Sequence, residues 1–490
     1  MTNFSKSVLL PALLCIALLL TASRLPAAPT NSFVYHTENG HIDADIESRD
    51  LLPVLEQIAM STGWHVLLDP GARHSVSAKF TDLPTGQALH MLLGNVNFVV
   101  VPETNGTSRL YVFRNTQRQA TKLVRAPAKP AKPIPRELIV KLKPGSKTKI
   151  EDLAKQLGAK IIGRMDQQNT YLLQFEDDAA TQSAAAQLAS NPDVSIDYNY
   201  PVDPPPQGQL TGNSTTPSLQ LKPQPNNGNC QLMVGLIDTA IQPPPANISS
   251  IVKPALSVVG NYTPPAKTLT HGTAMLQTIA QAMANAVNNP ANGTTSGSTT
   301  TASTAQTPGT VGTSVTILPV DVYGANESTS TFNVAQGVAL AINNGANIIN
   351  MSLGSSGDSS TLSSVIAQGQ QNGVVFYAAA GNTPVTTATY PAAYPGVIAV
   401  TASGDNGQLA SYANHGSFVQ MMAPGDNIVP FDGQSWLVEG TSTATAFTTG
   451  LAAGLADAHH DCADQAQSLL KQSLGTTSIP AADVAAGSDQ

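Results

Sequence analysis

The chain has 490 residues, of which 41% are hydrophobic and only 11% are charged. This length allows roughly three domains, and the hydrophobic content suffices for ordinary packed cores. The formal net charge is −8, so no basic surplus indicates nucleic acid as a partner. Few charges combined with many Ser, Thr, Asn and Gln residues are more typical of an exported protein than of a cytosolic one.

The first residues have the pattern of an export signal. Lys6 supplies a positive charge, and residues 8–20 are apolar apart from one proline. This apolar run is too short to span a bilayer comfortably, and small residues follow it. We therefore expect a signal peptide over residues 1–28, removed by a cut after Ala27 or Ala28, and a mature protein in the periplasm or outside the cell.

Removal of this signal leaves two cysteines, Cys230 and Cys462. Two cysteines in an exported protein are candidates for a disulfide, the alternative being two buried free thiols. They bracket the last predicted domain, so we expect them to be paired.

Biased composition marks the boundaries between the predicted domains. Residues 115–134 are rich in Pro, Ala and Lys, and residues 203–228 in Pro, Asn, Gly and Gln, as in linkers. A Ser/Thr/Gly-rich stretch, 288–313, is predicted to be a surface loop inserted in the last domain. The predicted domains are a first domain at 36–114, a second at 135–202 and a third at 229–475, followed by a tail at 476–490.

The first domain is predicted to have the element order β-α-β-β-α-β-β. Ile42, Ala44 and Ile46 alternate as in a strand, and two stretches with helical spacing end at Gly63 and Gly94. The segments LLPVLEQIAMSTGWHVLLDPGA and LPTGQALHMLLG resemble the short N-terminal module of secretins and TonB-dependent receptors. This resemblance implies a protein-interaction domain in the periplasm of a Gram-negative cell, with a cell-envelope protein as its partner.

The second domain is predicted to be a small α+β unit with the order β-α-β-β-α-β. Its segments ELIVKLKPG, LGAKIIGRMDQQNTYLLQF and NPDVSIDYNYPV resemble the inhibitory propeptide of subtilisin-like proteases. The alternative is an unrelated small α+β domain, but the position directly before the third domain favours a propeptide. The resemblance implies a folding aid and intramolecular inhibitor whose tail, near residues 200–209, passes through an active site and is cut between about residues 200 and 228.

Three polar residues of the third domain stand where α/β folds build active sites. Asp238 ends an apolar strand, His271 opens an alanine-rich helix, and Ser442 opens another helix of small residues. A serine hydroxyl is a weak nucleophile that needs a general base, and histidine can take its proton near neutral pH. A buried carboxylate would orient that histidine, and Asp, His and Ser follow one another as they do in subtilisin.

A fourth polar residue follows the predicted strand VVFYAAA. Asn382 in the block AAAGN matches the asparagine that donates to the oxyanion in subtilisin-like proteases, which residues 232–455 resemble over several blocks in family order. The Ser442 backbone N–H would be the second donor. This resemblance implies a secreted serine endopeptidase that acts on polypeptides.

The resemblance also implies the residues that bind substrate. In the block ANIINMSLGSSG, Ser352, Leu353 and Gly354 would pair with the substrate backbone as an added strand. Gly354, with Ala379 and Gly381 of the AAAG segment, would line the pocket for a substrate side chain.

The sequence departs from the family at two positions near the expected catalytic residues. Ala240 stands where the family has glycine, which would be strained if the turn needed positive φ. Ala446 stands where the family has proline. The Gly-rich calcium loop expected after the histidine helix is replaced by the Ser/Thr-rich insertion. No cofactor is expected, and calcium is allowed by the resemblance without assignable ligands.

Other polar residues of the third domain have simpler interpretations. His415 is predicted at the surface and Asp321 as structural. His459, His460 and Asp461 lie beside Cys462, but their spacing matches no zinc pattern, so we predict no metal site there.

Together these observations predict an α/β fold, a three-layer, doubly wound and mainly parallel sheet preceded by two small α+β domains. The function predicted first is a self-processing serine endopeptidase. The alternative is a protease-derived binding protein of the cell envelope, weak or inactive in catalysis, for which the two departures are the only support.

Overall fold

The computed structural model of the protein describes residues 32–36, 38–72, 74–102, 108–120, 122–124, 131–213, 219–225, 230–288, 309–404 and 406–474. The predicted signal peptide, most of the predicted loop insertion and the predicted tail lie outside the described residues.

The first domain has the predicted elements and two further strands. Each of its helices ends at a glycine with positive φ, Gly63 and Gly94, because glycine adopts this conformation without strain. Its sheets have the orders β1-β2-β4 and β5-β6-β3-β7. The elements are β1 (Ser32–His36), β2 (His41–Asp50), α1 (Leu51–Thr62), β3 (His65–Leu68), β4 (Ser75–Pro84), α2 (Thr85–Leu93), β5 (Asn97–Pro102), β6 (Ser108–Phe113) and β7 (Lys122–Val124).

Strand β7 lies within the stretch predicted to be a linker. It pairs antiparallel with β3 and places Val124 in the core of the first domain. A composition rich in Ala and Lys did not indicate a strand of only three residues.

The second domain is a four-stranded antiparallel sheet with the order β11-β8-β10-β9. One face of this sheet is covered by two helices, whose core includes Leu153 and Leu188. The elements are β8 (Glu137–Leu142), α3 (Ile150–Gln156), β9 (Lys160–Met165), β10 (Thr170–Gln174), α4 (Asp178–Ala189) and β11 (Val194–Asp197).

Three short strands connect the second domain to the third. They are β12 (Pro201–Val202), β13 (Gln209–Asn213) and β14 (Leu219–Pro223), all in or beside the stretch predicted to be a linker. Leu221 of β14 is 1% exposed and belongs to the core of the third domain. This part of the predicted linker is therefore built into the third domain.

The third domain is a parallel sheet of seven strands with helices on both faces. Its sheet order is β16-β18-β15-β20-β21-β22-β23. The elements are β15 (Met233–Asp238), β16 (Leu256–Ser257), α5 (His271–Asn288), β17 (Gly309–Thr313), β18 (Thr316–Asp321), β19 (Thr329–Ser330), α6 (Thr331–Asn343), β20 (Ile348–Met351), α7 (Ser360–Gln371), β21 (Val375–Ala379), β22 (Ile398–Ser403), β23 (Met421–Pro424), β24 (Asp426–Phe431), β25 (Gln434–Glu439), α8 (Thr441–His459) and α9 (Ala463–Leu474).

The central strand β15 shows why the sheet is covered on both faces. All six of its residues are buried, as in strands of a covered parallel sheet. Val234 and Leu236 pack in the core that contains α5 and α8, whereas Met233 and Ile237 pack in the core that contains α6 and α7. The predicted three-layer α/β fold is confirmed.

The second domain packs against the α6 side of the third domain. Ile139, Met165 and Leu172 from its sheet join the core that contains Phe332 of α6. A side chain at Gly163 would overlap with the ring of Phe332, so the absence of one permits this close approach.

Cys230 and Cys462 form the predicted disulfide, with their Cα atoms 5.3 Å apart. It links the residues before β15 to the junction of α8 and α9. Among the helices described, none is both long and apolar enough to cross a membrane.

Candidate active site

The carboxylate of Asp238 and the ring of His271 form a buried pair. Asp238 ends the central strand β15, and His271 is the first residue of α5. Oδ1 of Asp238 lies 2.8 Å from Nδ1 of His271, and the residues are 2% and 9% exposed. Nε2 of His271 is buried without a hydrogen-bond partner among the described residues. This geometry suits a histidine that is oriented through Nδ1 and has Nε2 free for a proton.

Thr239 and Gly272, the residues that follow Asp238 and His271, hold the end of β15 against the start of α5. The Gly272 N–H donates to the Thr239 hydroxyl over 2.8 Å, and a side chain at Gly272 would overlap with the main-chain oxygen of Thr239. Only glycine allows the start of α5 to approach the end of β15 this closely.

Gln242 anchors the loop that leads into His271, and sequence reasoning missed it. The side chain is 3% exposed; its Nε2 donates to the carbonyls of Pro265 and Thr268, over 3.1 and 2.6 Å. Its Oε1 accepts from the hydroxyls of Thr270 and Thr273. A glutamine so fully bonded fixes the backbone on both sides of His271. The signal available in the sequence was a polar residue four positions after Asp238.

Ser442 is the second residue of α8 and is buried. Its hydroxyl donates to the main-chain oxygen of Ser352 over 3.0 Å, and the Ser352 hydroxyl donates to the main-chain oxygen of Ser442 over 2.9 Å. Asn350 donates in turn to the Ser352 hydroxyl. The nucleophile predicted from the sequence therefore lies at the helix N-terminus as expected, but it is bonded to Ser352 rather than to His271.

Asn382 follows strand β21 and is tied to the residue before Ser442. Its Oδ1 accepts from the backbone N–H and the hydroxyl of Thr441, over 2.8 and 3.0 Å. The Thr441 hydroxyl accepts from the Gly381 N–H over 3.0 Å. Because the oxygen end of the amide is engaged, its Nδ2 is the end that can donate to a substrate oxygen. The sequence did not indicate the part taken by Thr441.

The positions predicted to bind substrate lie along the same edge of the sheet. Ser352 and Leu353 are buried directly after β20, and Ala379 ends β21. Gly381 has φ of +107°, and a side chain there would overlap with Asn414. The carbonyl of Gly354 accepts from the Asp203 N–H over 3.1 Å, so a segment of the chain itself lies against this strand.

The two departures from the family pattern fit the fold without strain. Ala240 is buried and does not have positive φ, so its side chain is tolerated. Ala446 is fully buried within the unbroken helix α8, as suits an excellent helix former.

The remaining polar residues named from the sequence have structural surroundings. His415 is 6% exposed, so its predicted surface position is wrong: the segment folds inward, and its N–H donates to the carbonyl of Val385. Asp321 accepts hydrogen bonds from the N–H groups of Tyr323 and Gly324. These bonds lower its pKa, but burial outweighs them and raises the pKa above its ordinary value.

His459 and His460 are exposed at the end of α8. In the part of the chain that the structure describes, no group of three or more His, Cys, Asp or Glu side chains is arranged to hold a metal ion.

Two family models match this chain. The model of the subtilase family matches residues 229–488, and the model of the fervidolysin N-terminal prodomain matches residues 119–198. The second match overlaps most of the domain predicted to be a propeptide. Residues 36–114 lie outside both matches, so their resemblance to the secretin and TonB-receptor module stays a prediction.

Curated relatives align with part of the third domain. The thermostable alkaline protease of Halalkalibacterium halodurans is 42% identical over 145 residues, which are 29% of this chain and 40% of that one. Subtilisin Savinase of Lederbergia lenta is 37% identical over 145 residues, which are 29% of this chain and 54% of that one. The chain thus spans about two-fifths to one-half of the length of these relatives.

Solved structures share the fold over a longer stretch. Fervidolysin from Fervidobacterium pennivorans, described as a keratinolytic enzyme related to subtilisin, superposes with a TM-score of 0.50 at 18% identity, covering 67% of this chain and 56% of that one. The epidermin leader peptide processing serine protease from Staphylococcus aureus superposes with a TM-score of 0.50 at 14% identity, covering 69% and 93%. Since the family model spans more than half of the sequence, the chain belongs to the subtilase family.

Proposed function

We propose that the protein is a serine endopeptidase, made as a precursor, in which Ser442 is the nucleophile and His271 its general base. The observation that carries this proposal is the buried 2.8 Å contact between Asp238 and Nδ1 of His271, which leaves Nε2 free. A histidine held in this way has little structural purpose, because a buried ring nitrogen without a partner costs free energy.

The reaction is acyl transfer from a peptide to water. The Ser442 hydroxyl leaves the Ser352 carbonyl by rotation of its side chain, and Oγ attacks the peptide carbonyl while Nε2 of His271 takes the proton. Nδ2 of Asn382 and the Ser442 backbone N–H donate to the oxyanion. His271 then protonates the leaving amine, and water hydrolyses the ester by the reverse sequence of proton transfers.

The second domain acts as an intramolecular inhibitor in this proposal. Asn199 Oδ1 accepts from the Thr331 hydroxyl and the Phe332 N–H, over 3.1 and 3.0 Å, and Thr331 N donates to the Tyr200 carbonyl over 2.9 Å. These bonds hold the end of the second domain at the N-terminus of α6. The chain that follows it then lies on the strand predicted to bind substrate.

The test is the intact mass of the purified wild type beside Ser442→Ala, both expressed with export to an oxidising compartment. We expect the wild type to lose its N-terminal region by a cut between residues 200 and 228, while Ser442→Ala stays full length. A fluorophosphonate probe applied to both proteins reports on the nucleophile independently of processing. Wild-type protein that neither processes nor reacts with the probe would favour the binding-protein alternative.

We further propose that the protein is exported and that residues 36–114 direct it to a partner in the cell envelope. The signal-like start of the sequence and the disulfide support export. Deletion of residues 36–114 is expected to change the location or the captured partners of the protein and to leave peptide hydrolysis unchanged. If the deletion abolishes peptide hydrolysis as well, residues 36–114 serve the folding of the other two domains instead.

Calcium dependence is tested by activity and melting temperature with and without a chelator.

A further inference from the structure

The segment that joins the second and third domains is held on both sides of the candidate active site. Before the site, β12 pairs antiparallel with β19, with Pro201 opposite Ser330. After it, β13 pairs antiparallel with β25, with Gln209 opposite Leu437. Residues 203–208, between these two pairings, therefore cross the site as a fixed strap. The ring of Pro206 lies 3.4 Å from the point that a side chain on Gly440 would occupy, and Gly440 adjoins Asn382.

The register of this strap follows from its hydrogen bonds. The Asp203 N–H donates to the Gly354 carbonyl over 3.1 Å, and the Ser355 hydroxyl donates to the Pro201 carbonyl over 2.7 Å. The strap and the strand after β20 thus run in opposite directions. Continuing this antiparallel register by two residues sets Pro205 opposite Ser352.

The residue opposite Ser352 lacks the donor that this position requires. Proline has no backbone N–H, so Pro205 cannot donate to the Ser352 carbonyl. That carbonyl instead accepts from the Ser442 hydroxyl, over 3.0 Å, while Nε2 of His271 is left without a partner among the described residues. The strap thus occupies the substrate strand and leaves the nucleophile bonded away from its base.

The strap also offers poor bonds for hydrolysis. Its sequence is Asp-Pro-Pro-Pro from Asp203 to Pro206, so three consecutive peptide bonds end at a proline nitrogen. Such a nitrogen is tertiary and carries ring carbons, which fix φ and crowd the atom that His271 would have to protonate.

We propose that Pro204, Pro205 and Pro206 form a non-cleavable tether that keeps each precursor molecule inactive until a processed copy of the enzyme cuts it elsewhere. This inference rests on the proposed function and specifies its regulation. A peptide with an N–H opposite Ser352 takes over that carbonyl and frees the Ser442 hydroxyl for His271. The processing cut lies outside the three bonds from Asp203 to Pro206, and Leu221, buried in the third domain, stays with the mature protein.

The experiment replaces two prolines of the tether in the full chain, as Pro205→Ala/Pro206→Ala, and identifies amino termini by mass and sequencing. Alanine supplies the missing N–H and a secondary amide. The centre can then form the ester between Ser442 and the tether carbonyl, release the downstream amine protonated by His271, and hydrolyse the ester with water. We expect a new terminus between residues 204 and 207 in this variant and none there in the wild type.

Three comparisons make the result specific. The same variant with Ser442→Ala is expected to give no such terminus. Pro133→Ala/Pro135→Ala, at exposed prolines before the second domain, is expected to process like the wild type. Pro205→Gly/Pro206→Gly, with the same expected terminus, serves if the alanine variant does not accumulate as folded protein.

Two results would contradict the proposal that these prolines form a non-cleavable tether. One is a wild-type terminus at residue 204, 205 or 206. The other is a tether variant whose Ser442 reacts with a fluorophosphonate, and which hydrolyses a peptide substrate, but which gains no terminus between 204 and 207. In this second case the proposed function stands. If Ser442 reacts in none of the proteins and no peptide is hydrolysed, the proposed function fails and the tether fails with it.

Discussion

Oδ1 of Asn382 accepts two hydrogen bonds from Thr441, one from its backbone N–H and one from its hydroxyl, over 2.8 and 3.0 Å. Thr441 is the first residue of α8, directly before Ser442. The amide proposed to stabilise the oxyanion is thus oriented by the helix that carries the proposed nucleophile, Ser442. A fixed orientation matters because a donor that need not reorganise stabilises a developing charge most strongly.

Replacement of Asn382 by alanine is expected to lower kcat by about 10²- to 10³-fold with little change in KM. The ground-state peptide gains less than the transition state from this donor, so the loss falls on kcat. Steady-state kinetics on a peptide substrate, with processed enzyme, measure it. If instead KM rises by a similar factor while kcat stays unchanged, Asn382 binds the substrate rather than the oxyanion.

Thr441→Val separates orientation from donation. Valine keeps the backbone N–H that bonds Asn382 but removes the hydroxyl, so we expect a smaller loss of kcat than in Asn382→Ala. Thr441→Ser retains the hydroxyl and is expected to restore most of the activity. If valine and serine behave alike, the hydroxyl has no part in orienting the amide.

Gln242→Leu is expected to lower kcat by about tenfold to a hundredfold, because a shift of His271 by a fraction of an ångström misaligns it with Ser442. The leucine fills a similar volume but leaves the Thr268 carbonyl without its donor, which costs about 1–3 kcal/mol. Gln281→Leu is the matched control, since Gln281 lies in α5, the helix that begins with His271, and accepts a hydrogen bond from Asn427. It is expected to affect stability more than kcat. If kcat falls equally in both variants, the loss comes from a general disturbance of α5 and not from a specific role of Gln242 in placing His271.

Much of the site could be predicted from single residues, because the sheet geometry constrains them. Asp238 ends a buried strand, and Asn382 follows another. The carboxyl ends of parallel strands lie at one edge of the sheet, so both residues could be placed there from the sequence. The Ser442 rotamer and the Gln242 contacts could not be predicted, because each depends on partners far away in sequence. His415 was misplaced for the same reason: its burial comes from a neighbouring loop.

The boundaries between domains were harder to predict than their cores. Leu221 stands in a stretch rich in Pro, Asn and Gln, yet it pairs through β14 with β17 and is buried. Composition averages over such a stretch and does not register one apolar residue that another domain covers.

The stability of the first domain is expected to fall in acid through Asp69. The Arg114 guanidinium bonded to this buried carboxylate over 2.9 Å lowers its pKa, although burial opposes the shift. A carboxyl with a lower pKa in the folded state than in the unfolded chain, about 3.9, stabilises the fold above that value. This stabilisation is lost as the pH falls through the folded pKa.

Urea unfolding followed by Trp64 fluorescence, in a Trp436→Phe background, measures this loss. Asp69→Asn should be less stable than the wild type at pH 7, and the difference should shrink toward pH 3. Asp45→Asn, at a more exposed carboxylate paired with Lys79, is the control and should change stability less. A difference between Asp69→Asn and wild type that does not depend on pH would contradict the assignment.

The helices that carry His271 and Ser442 are in direct contact through two glycines of α8. A side chain at Gly450 would overlap with the main-chain oxygen of Ile279, and one at Gly454 with that of Met283. Gly450→Ala is therefore expected to push α5 and α8 apart. The overpacking costs about 1–3 kcal/mol. The displacement of His271 and Ser442, the proposed catalytic residues, should lower kcat by about tenfold or more.

Gly369→Ala is the matched control, since Gly369 lies in α7 on the other face of the sheet and an added side chain there would overlap with the ring of Phe376. This change should lower the stability of the third domain by a similar overpacking and leave kcat nearly unchanged. Melting temperature and kcat are measured for both variants. If Gly450→Ala lowers the melting temperature but leaves kcat at the wild-type value, the spacing of α5 and α8 does not set the geometry of the catalytic groups. That geometry would then be fixed at the helix N-termini alone, through Gly272 at one and Thr441 at the other.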